Sequence, residues 1–545
     1  MTNFLLSFVL LSTLAIESKA AWILKRVQQD DHIEEVGVSP LSTRLIRKEE
    51  FNIPKVLKSL PAYLVEHGKS SSRKYEEILW PYDSLPTSYS RFARSSEMKL
   101  KNSEFRTIIE QGPAENRICL TFVGDGYTES EKEKFYTDVA ALVDDLFNGQ
   151  TFQSYKSLFN VYAVFVASNE SGISDVESKN TAFGLYRNPP GSKRAIMPGN
   201  TFALDQAIAI APKTDYPIVI ANDDFYGGLG GRYAITTSSR ESGKIVLRHE
   251  LGHNFGGVGE EYDGGYVYQG ANSSRSTDIS WRQWLKDAQA KIINDMRFLG
   301  GAYVWQNLAQ KSVVQNFTFP APNEKGSFWF EVQVSSVGWQ SLEDVEILLD
   351  GRKLEILGRG TSDRSFFNTK RVQDLTPGKH QLEIREVSHD GDNILAFANL
   401  YAFEGDYDFN GGIGAFKTYD DGQRITYRPT HDKCIMRDML SDFFCPVDQE
   451  NMWLEFLSRI QLIDGIEINS EYVQLKTVAM PNLTTNWYKI ENNQEIELAQ
   501  FQNKFKLNKA ELALGRYIVK VKFLTTEVRK SSKQLQGQQN FEIVN

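Results

Sequence analysis

Residues 245–262 read Ile245-Val-Leu-Arg-His-Glu-Leu-Gly-His-Asn-Phe-Gly-Gly-Val-Gly-Glu-Glu-Tyr262. His249 and His253 are four residues apart, so on a helix both imidazoles project from one face. There they can close on a single ion, at about 2.0–2.1 Å from each nitrogen. Glu250 follows the first His and is rotated away from the ion, yet it can reach a water beside it, the place a general base needs. Val246, Leu247 and Leu251 supply the apolar periodicity of a helix. Gly256 and Gly257 let that helix end and the chain swing back. Zinc needs a third protein ligand and an open fourth position. The carboxylates after the turn are Glu260, Glu261 and Asp263. The spacing HExxHxxGxxH or HExxHxxGxxD would put the third ligand at residue 259, which is Gly, so it must fall later.

Upstream of the motif the chain alternates strands and helices. Ile118 to Val123 is a short apolar run ending at Gly124-Asp125-Gly126, a buried strand and its turn. Thr128 precedes Glu131 by three, a capping box. Phe135, Val139, Leu142, Val143, Leu146 and Phe147 then follow at helical spacing, with Gly149 as the stop. Val161–Val166 and Pro217–Ile220 are further buried strands. Ala234–Ser238 is another, entered through Gly227, Gly228, Gly230 and Gly231. This order predicts an α/β layer, and an exposed Ala234–Ser238 edge would be able to take an extended substrate by strand addition. Residues 325–405 change character: Phe328–Val334 alternates, Asp350-Gly351 is a hairpin signal, and His380–Val387 alternates again, the pattern of a β-sandwich. Residues 466–545 repeat that style and predict a second sandwich. Trp281, Trp284, Leu285 and Ile292-Ile293 read as a helix packing face.

The N-terminus carries an apolar run, Phe4 to Ile16, followed by Ser18-Lys19-Ala20, a small-x-small site. It is too short to span a membrane and fits a secretory signal over residues 1–20. The expected location is therefore secreted, extracellular. Residues 21–110 contain no chemical motif and read as an accessory or pro-domain. Export permits a disulfide; of the 3 Cys, Cys434 and Cys445 are the expected pair, leaving Cys119 as a buried thiol. Four N-x-S/T sequons, at Asn169, Asn272, Asn316 and Asn482, would make a glycoprotein in a glycosylating host. A net charge of -9, from 61 Lys+Arg against 70 Asp+Glu, argues against a general nucleic-acid binder. No internal stretch of 18 apolar residues predicts a membrane span. His32, His67, His380 and His389 have no metal-like spacing.

The stretch HELGHNFGGVGEEYDGG resembles the active-site signature of the immunoglobulin A peptidase family of secreted zinc metallopeptidases, HExGHxFxGLxDEY. Gly124-Asp125-Gly126-Tyr127-Thr128 is similar to that family's GDGYT strand end. Lys433-Cys434-Ile435-Met436-Arg437, leading to Phe444-Cys445-Pro446-Val447, is similar to its KCxMR and FCPVC segment. The patterns along the chain predict a multidomain α+β/α/β protein, and the resemblance, which covers residues 117–447 and not the β-rich ends, implies a metzincin-like fold within it. Residues 111–465 would form a metzincin-like zinc peptidase domain with the 325–405 sandwich inserted, and 466–545 the C-terminal sandwich. It implies one catalytic Zn2+ held by His249, His253 and Glu260, where the family carries Asp, with Glu261 open as an alternative. Met436 falls where a Met-turn would pack beneath the metal. Residue 448 is Asp where the family tends to have a second Cys.

The function implied is hydrolysis of peptide bonds by metal-activated water, with Glu250 as general base and a protein or peptide as substrate. Tyr262, Arg437, His431 and Tyr427 are available as oxyanion donors. Two rival readings exist: an adhesion or binding protein with a metal-stabilised, inactive domain, and a hydrolase of non-peptide substrates. A base beside an open coordination position has no use in a purely structural site, which favours catalysis. Oligomeric state has no signature in the sequence.

Overall fold

The structure, a computed structural model, describes residues 103–545 apart from 189–193, 266, 287–294, 389–390, 421 and 545, together with four strands of the N-terminal region. The expected signal at 1–20 lies outside the described residues. The chain divides into two compact units, 1–103 with 200–210 and the remainder. In the first, the strands Trp22–Gln29, His32–Pro40, Tyr63–Ser70 and Arg73–Trp80 form one sheet, with Trp22–Gln29 antiparallel to both His32–Pro40 and Arg73–Trp80. The helix Thr201–Ile208 belongs to the same unit.

The second unit is organised by a five-stranded sheet in the order Ala234–Thr237, Tyr216–Ala221, Ile118–Asp125, Phe159–Val166, Ser103–Ile109. The first four strands pair in parallel. Three of them are the apolar runs read from sequence, buried on both faces as parallel strands must be. Ser103–Ile109 lies before residue 111 and still belongs to this sheet. The capping box forms: the Thr128 N–H donates to Glu131 Oε2 at 2.9 Å, starting a turn that runs into the helix Lys132–Asn148. All six of its predicted apolar positions are buried. Those side chains share one core with Leu120, Phe122, Val161, Ala163, Phe165, Ile218 and Ile220. Leu247, Leu251 and Phe255 of the motif helix join the same core. The alternation along each strand therefore puts the helices on one face of the sheet.

Residues 296–403 form the inserted sandwich. One sheet is built on Ile394–Phe403 and Trp329–Val337, flanked by Met296–Ala302 and Arg364–Thr369. The facing sheet has the order Val313–Phe319, Gly378–Glu386, Val345–Leu349, Arg352–Lys353. Phe330, Trp339, Ile347, Phe367 and Leu400 fill the layer between them. The insertion thus begins about thirty residues before the sequence boundary at 325. Of the expected helix around Trp281, the described residues form a single turn, Arg282–Trp284, and Ile292-Ile293 lie outside the described residues. Trp281 and Trp284 are held by their indole N–H groups on Gly414 O and Glu450 Oε2.

The C-terminal segment folds as two facing sheets. One has three strands, Ile463–Ile468, Tyr472–Thr477 and Lys506–Asn508. The other has four, Gln494–Glu497, Leu483–Glu491, Gly515–Phe523 and Gln536–Ile543. Its core (Val473, Trp487, Tyr517, Val519) is continuous with that of the central sheet. Arg117, buried at the start of Ile118–Asp125, grips both Asp464 oxygens at 2.7 and 2.8 Å.

Candidate metal centre

The motif helix runs Gly243–Gly256 and ends at Gly257, whose φ of 59° is the left-handed conformation glycine adopts freely. His249 and His253 face one another across one helical turn, ring centroids 5.0 Å apart and planes at 89°. Each imidazole is held by its inner nitrogen on a backbone carbonyl: Nδ1 of His249 lies 3.3 Å from Ile435 O, and Nδ1 of His253 2.7 Å from Val258 O. A carbonyl only accepts, so both rings carry a proton on Nδ1 and turn Nε2 toward the centre. Both Nε2 atoms point at one carboxylate, 3.2 Å from Glu260 Oε2 and 3.2 Å from Glu260 Oε1 respectively.

That separation bears on whether the trio fits a metal. Tetrahedral donors at zinc distances lie about 3.3 Å from one another, and Nε2, Nε2 and a carboxylate oxygen already stand at that spacing. Glu260 Oε2 is buried and makes no hydrogen bond of acceptable geometry. A buried carboxylate between two histidines draws positive charge to that point, either the His249 imidazolium 3.2 Å away or a bound ion. The three residues fit a zinc ion. Burial alone would raise the Glu260 carboxyl, but the two histidines outweigh it and hold it well below the usual range. Conversely, burial opposes the charging of His249, and Glu260 overcomes it, pushing that imidazole up to about 9.

Glu250, on the next face of the helix, is partly buried, and burial raises its carboxyl above the usual range. Its cover is Gly230: a Cβ there would lie 2.1 Å from Glu250 Oε2, so the glycine cluster before Ala234–Thr237 forms a rim in backbone contact with this carboxylate. Tyr226, half-buried, is near enough to feel the Glu250 charge, and Arg364 of the inserted sandwich stacks over its ring at 4.5 Å. The same rim overturns the idea of a free edge at Ala234–Ser238. Ile235 N–H and C=O are both bonded to Leu229, at 2.9 and 3.2 Å, and Thr236 is fully buried with its hydroxyl on Gly243 O. Extended peptide has no open ladder at that strand.

Sequence separated the three acidic candidates poorly; the fold sends them three ways. Glu260 faces the histidines. Asp263, fully buried, accepts from Arg437 Nη1 at 2.5 Å, from the Tyr401 hydroxyl at 2.9 Å and from Tyr419 N–H at 2.8 Å. Glu261, also fully buried, turns to Cys434, Cys445 and Asp448. Tyr262 lies with its ring centroid 6.3 Å from that of His249, and burial, together with the nearby Glu260 charge, pushes its hydroxyl well above the usual tyrosine range. Of the other suggested oxyanion donors, Arg437 is engaged by Asp263. His431 is enclosed by Phe403, Tyr407 and Phe409, with burial holding its imidazole well below the usual value. Tyr427 is tied through its backbone to Ser274.

Met436 is fully buried against the helix. A Cβ at Gly252 would meet its Sδ at 2.7 Å and Phe444 at 2.6 Å, so only glycine fits between the histidines on that side. Its carbonyl accepts from Glu261 N–H at 3.0 Å. The other end of the helix is anchored by a residue sequence reading missed. Asp363, from the inserted sandwich, takes the hydroxyls of Ser239 and Ser242 at 2.6 and 2.5 Å and Tyr226 N–H at 2.8 Å. A carboxylate at a helix N-terminus is favourable, and no local motif announces one that arrives 121 residues later. Asp125 of the GDGYT segment is likewise internal, accepting from Phe183 and Leu185 N–H.

Two expectations are corrected. Cys434 and Cys445 are free thiols, buried with Cys119, and form no disulfide. Asn272 is 1% exposed, its amide clasping Gly259 N–H and C=O and Glu261, so that sequon is closed to a glycan, while Asn169, Asn316 and Asn482 are exposed. His380 pairs with Asp350 in the inserted sandwich, remote in role from the centre; the side chains of His32, His67 and His389 lie outside the described residues. No helix among the described residues is long and apolar enough to cross a membrane.

No curated protein matches the chain. Residues 106–287, which carry the GDGYT strand end, the motif helix and the Glu260 loop, match the family described as IgA Peptidase M64. The Lys433–Val447 segment and both β-sandwiches fall outside the matched range. Over residues 106–287, a third of its length, the chain is therefore similar to the IgA peptidase M64 family.

Proposed function

We propose that this chain is an exported, zinc-dependent endopeptidase with a metzincin-like centre, in which His249, His253 and Glu260 hold the ion and Glu250 is the general base. The observation that carries the reading is the convergence of both Nε2 atoms on the Glu260 carboxylate with both Nδ1 atoms engaged by backbone carbonyls. That arrangement orients donors and fixes tautomers, as metal-binding histidines require. Zinc, when bound, supplies Lewis-acid polarisation of the scissile carbonyl and acidifies the attacking water. The chain's own residues do the rest. Glu250, its carboxyl raised toward the working range by burial, takes the proton of the attacking water and returns it to the leaving amine. Met436 and Gly252 fix the helix from beneath, so the imidazoles keep one orientation. Export is supported by the Phe4–Ile16 run with its Ser18-Lys19-Ala20 site.

The test is cleavage of a diverse peptide mixture by the purified full chain, read by mass spectrometry beside Glu250→Gln protein. New peptide termini are expected from the parent, reduced on the order of 100-fold or more in the variant and abolished by chelator. Equal cleavage by Glu250→Gln protein would refute the role given to this residue.

A further inference from the structure

Beneath the Glu260 loop lies a second cluster of ligand-type side chains with no part in the proposed reaction. Glu261, Cys434, Cys445 and Asp448 each offer a donor atom, and all four atoms lie within 4.8 Å of one another. None of the four side chains is exposed to solvent. Their internal bonding is sparse. Cys434 Sγ donates to Asp448 Oδ2 at 3.0 Å, Asn272 donates to Glu261 Oε1 at 3.1 Å, and Cys445 N–H reaches Cys434 Sγ at 3.3 Å. The second oxygens, Glu261 Oε2 and Asp448 Oδ1, are buried with no partner at all. Among the described residues neither carboxylate is ion-paired. The nearest guanidinium groups are engaged elsewhere, Arg437 by Asp263 and Arg428 by the carbonyls of Lys417 and His431. Two orphaned carboxylate oxygens and two thiols facing one another in a dry interior lack only a cation.

We infer that Glu261, Cys434, Cys445 and Asp448 form a second, structural transition-metal site, suited to Zn2+. Two sulfurs and two oxygens around zinc would stand roughly 3.3–3.8 Å apart, so contraction of the cluster by about 1.5 Å or less closes it on an ion. Thiolates exclude calcium and magnesium as occupants. Four protein donors and no solvent access leave no open position, which makes the site structural. Cys445 is the N-cap and Asp448 lies in the first turn of the helix Pro446–Leu457, whose N-terminal end favours both anions. The ion would tie three pieces of chain together: the loop that presents Glu260, the Cys434–Met436 segment beneath the motif helix, and the helix that follows.

The experiment is metal content of the purified full chain, by plasma mass spectrometry, for the parent, the His249→Ala/His253→Ala pair and the Cys434→Ser/Cys445→Ser pair. Two equivalents are expected in the parent and one in each variant. Should the Cys pair fail to fold, cobalt-loaded His249→Ala/His253→Ala protein decides the matter by a thiolate-to-cobalt charge-transfer band in the near ultraviolet, together with a fall in Tm on chelation. One equivalent in the parent that disappears entirely with the histidines overturns the inference, as does a Cys434–Cys445 disulfide in the purified chain. A single equivalent that survives loss of the histidines and carries the cobalt–thiolate band supports this site while refuting the catalytic one, so the two failures are distinct.

Discussion

Arg437→Met is the sharpest test of how the Glu260 loop is held. Arg437 is 5% exposed at its side chain and Asp263 is not exposed at all, and their atoms meet at 2.5 Å. Two unit charges about 4 Å apart attract by roughly 4 kcal/mol at an effective dielectric near 20, and withdrawing both from water offsets much of that. The intact pair therefore contributes little net stability, whereas removing one partner strands a buried charge and costs about 3–5 kcal/mol. Asp263 keeps two donors after the substitution, Tyr401 O–H and Tyr419 N–H, which places the expected loss at the lower end. Arg437 also donates to Glu261 O at 3.2 Å, a bond worth about 1 kcal/mol. The expected total is about 3–4 kcal/mol. The assay is urea unfolding of the full chain by tryptophan fluorescence, Trp281 and Trp453 both lying in the core that packs against this loop. Asp263→Asn, alone and combined with Arg437→Met, completes a cycle. The combined variant buries no charge, so it should be less damaged than the sum of the two by at least about 2 kcal/mol. A loss below about 1 kcal/mol for Arg437→Met, or strict additivity, would refute the buried-pair reasoning.

Gly252→Ala would drive a methyl into Met436 Sδ and Phe444 at 2.7 and 2.6 Å. A destabilisation of about 1–3 kcal/mol is expected from overpacking, with weakened metal retention because the flanking histidines tilt; unchanged metal content and Tm would count against a tight seat. The Arg117–Asp464 pair predicts an acid limb. Burial would raise the Asp464 carboxyl, but Arg117 outweighs it and holds the carboxyl below its ordinary value of 3.8. Its contribution is thus complete above about pH 4 and is lost as pH falls through the depressed folded value. Asp464→Asn should flatten stability against pH below 4 relative to the parent, and an identical acid profile would disprove the linkage.

Much of this architecture was readable because the governing interactions are local. The parallel strands announce themselves as unbroken apolar runs, and Thr128 with Glu131 marks the helix start by a reciprocal bond three residues long. What sequence missed is what depends on distant chain. Met296–Ala302 carries two glycines and no clean alternation of burial, so nothing local marks it as the flank of a sheet whose partner, Ile394–Phe403, is almost a hundred residues away. Asp363 capping the motif helix and Gly230 covering Glu250 are invisible for the same reason. Trp281 and Trp284 were read as a helix face because indoles at i and i+3 fit that period. They are instead fastened singly by their N–H groups, a use of tryptophan that periodicity does not encode.

The three carboxylates after the motif illustrate where such reading must stop. Spacing alone allowed Glu260, Glu261 or Asp263 beside the histidines. The backbone here runs between two partners, Glu260 N–H bonded to Val267 O at 2.7 Å and Glu261 N–H to Met436 O at 3.0 Å. Consecutive amides that point to opposite sides impose the alternation of an extended chain, and with it opposite directions for consecutive side chains. Glu260 then has to face the motif helix if Glu261 faces the Cys434–Asp448 cluster, and a slip of one residue would exchange them. The register is pinned by Gly259, where a Cβ would strike Gln269 N and Val267 O at 2.6 and 2.7 Å, and by Asp263 locked to Arg437. Glutamate at 260, with one more methylene than aspartate, reaches the histidines from a loop so fixed. Which carboxylate faces the histidines is thus decided by a glycine before it and an ion pair after it, neither of which touches the centre.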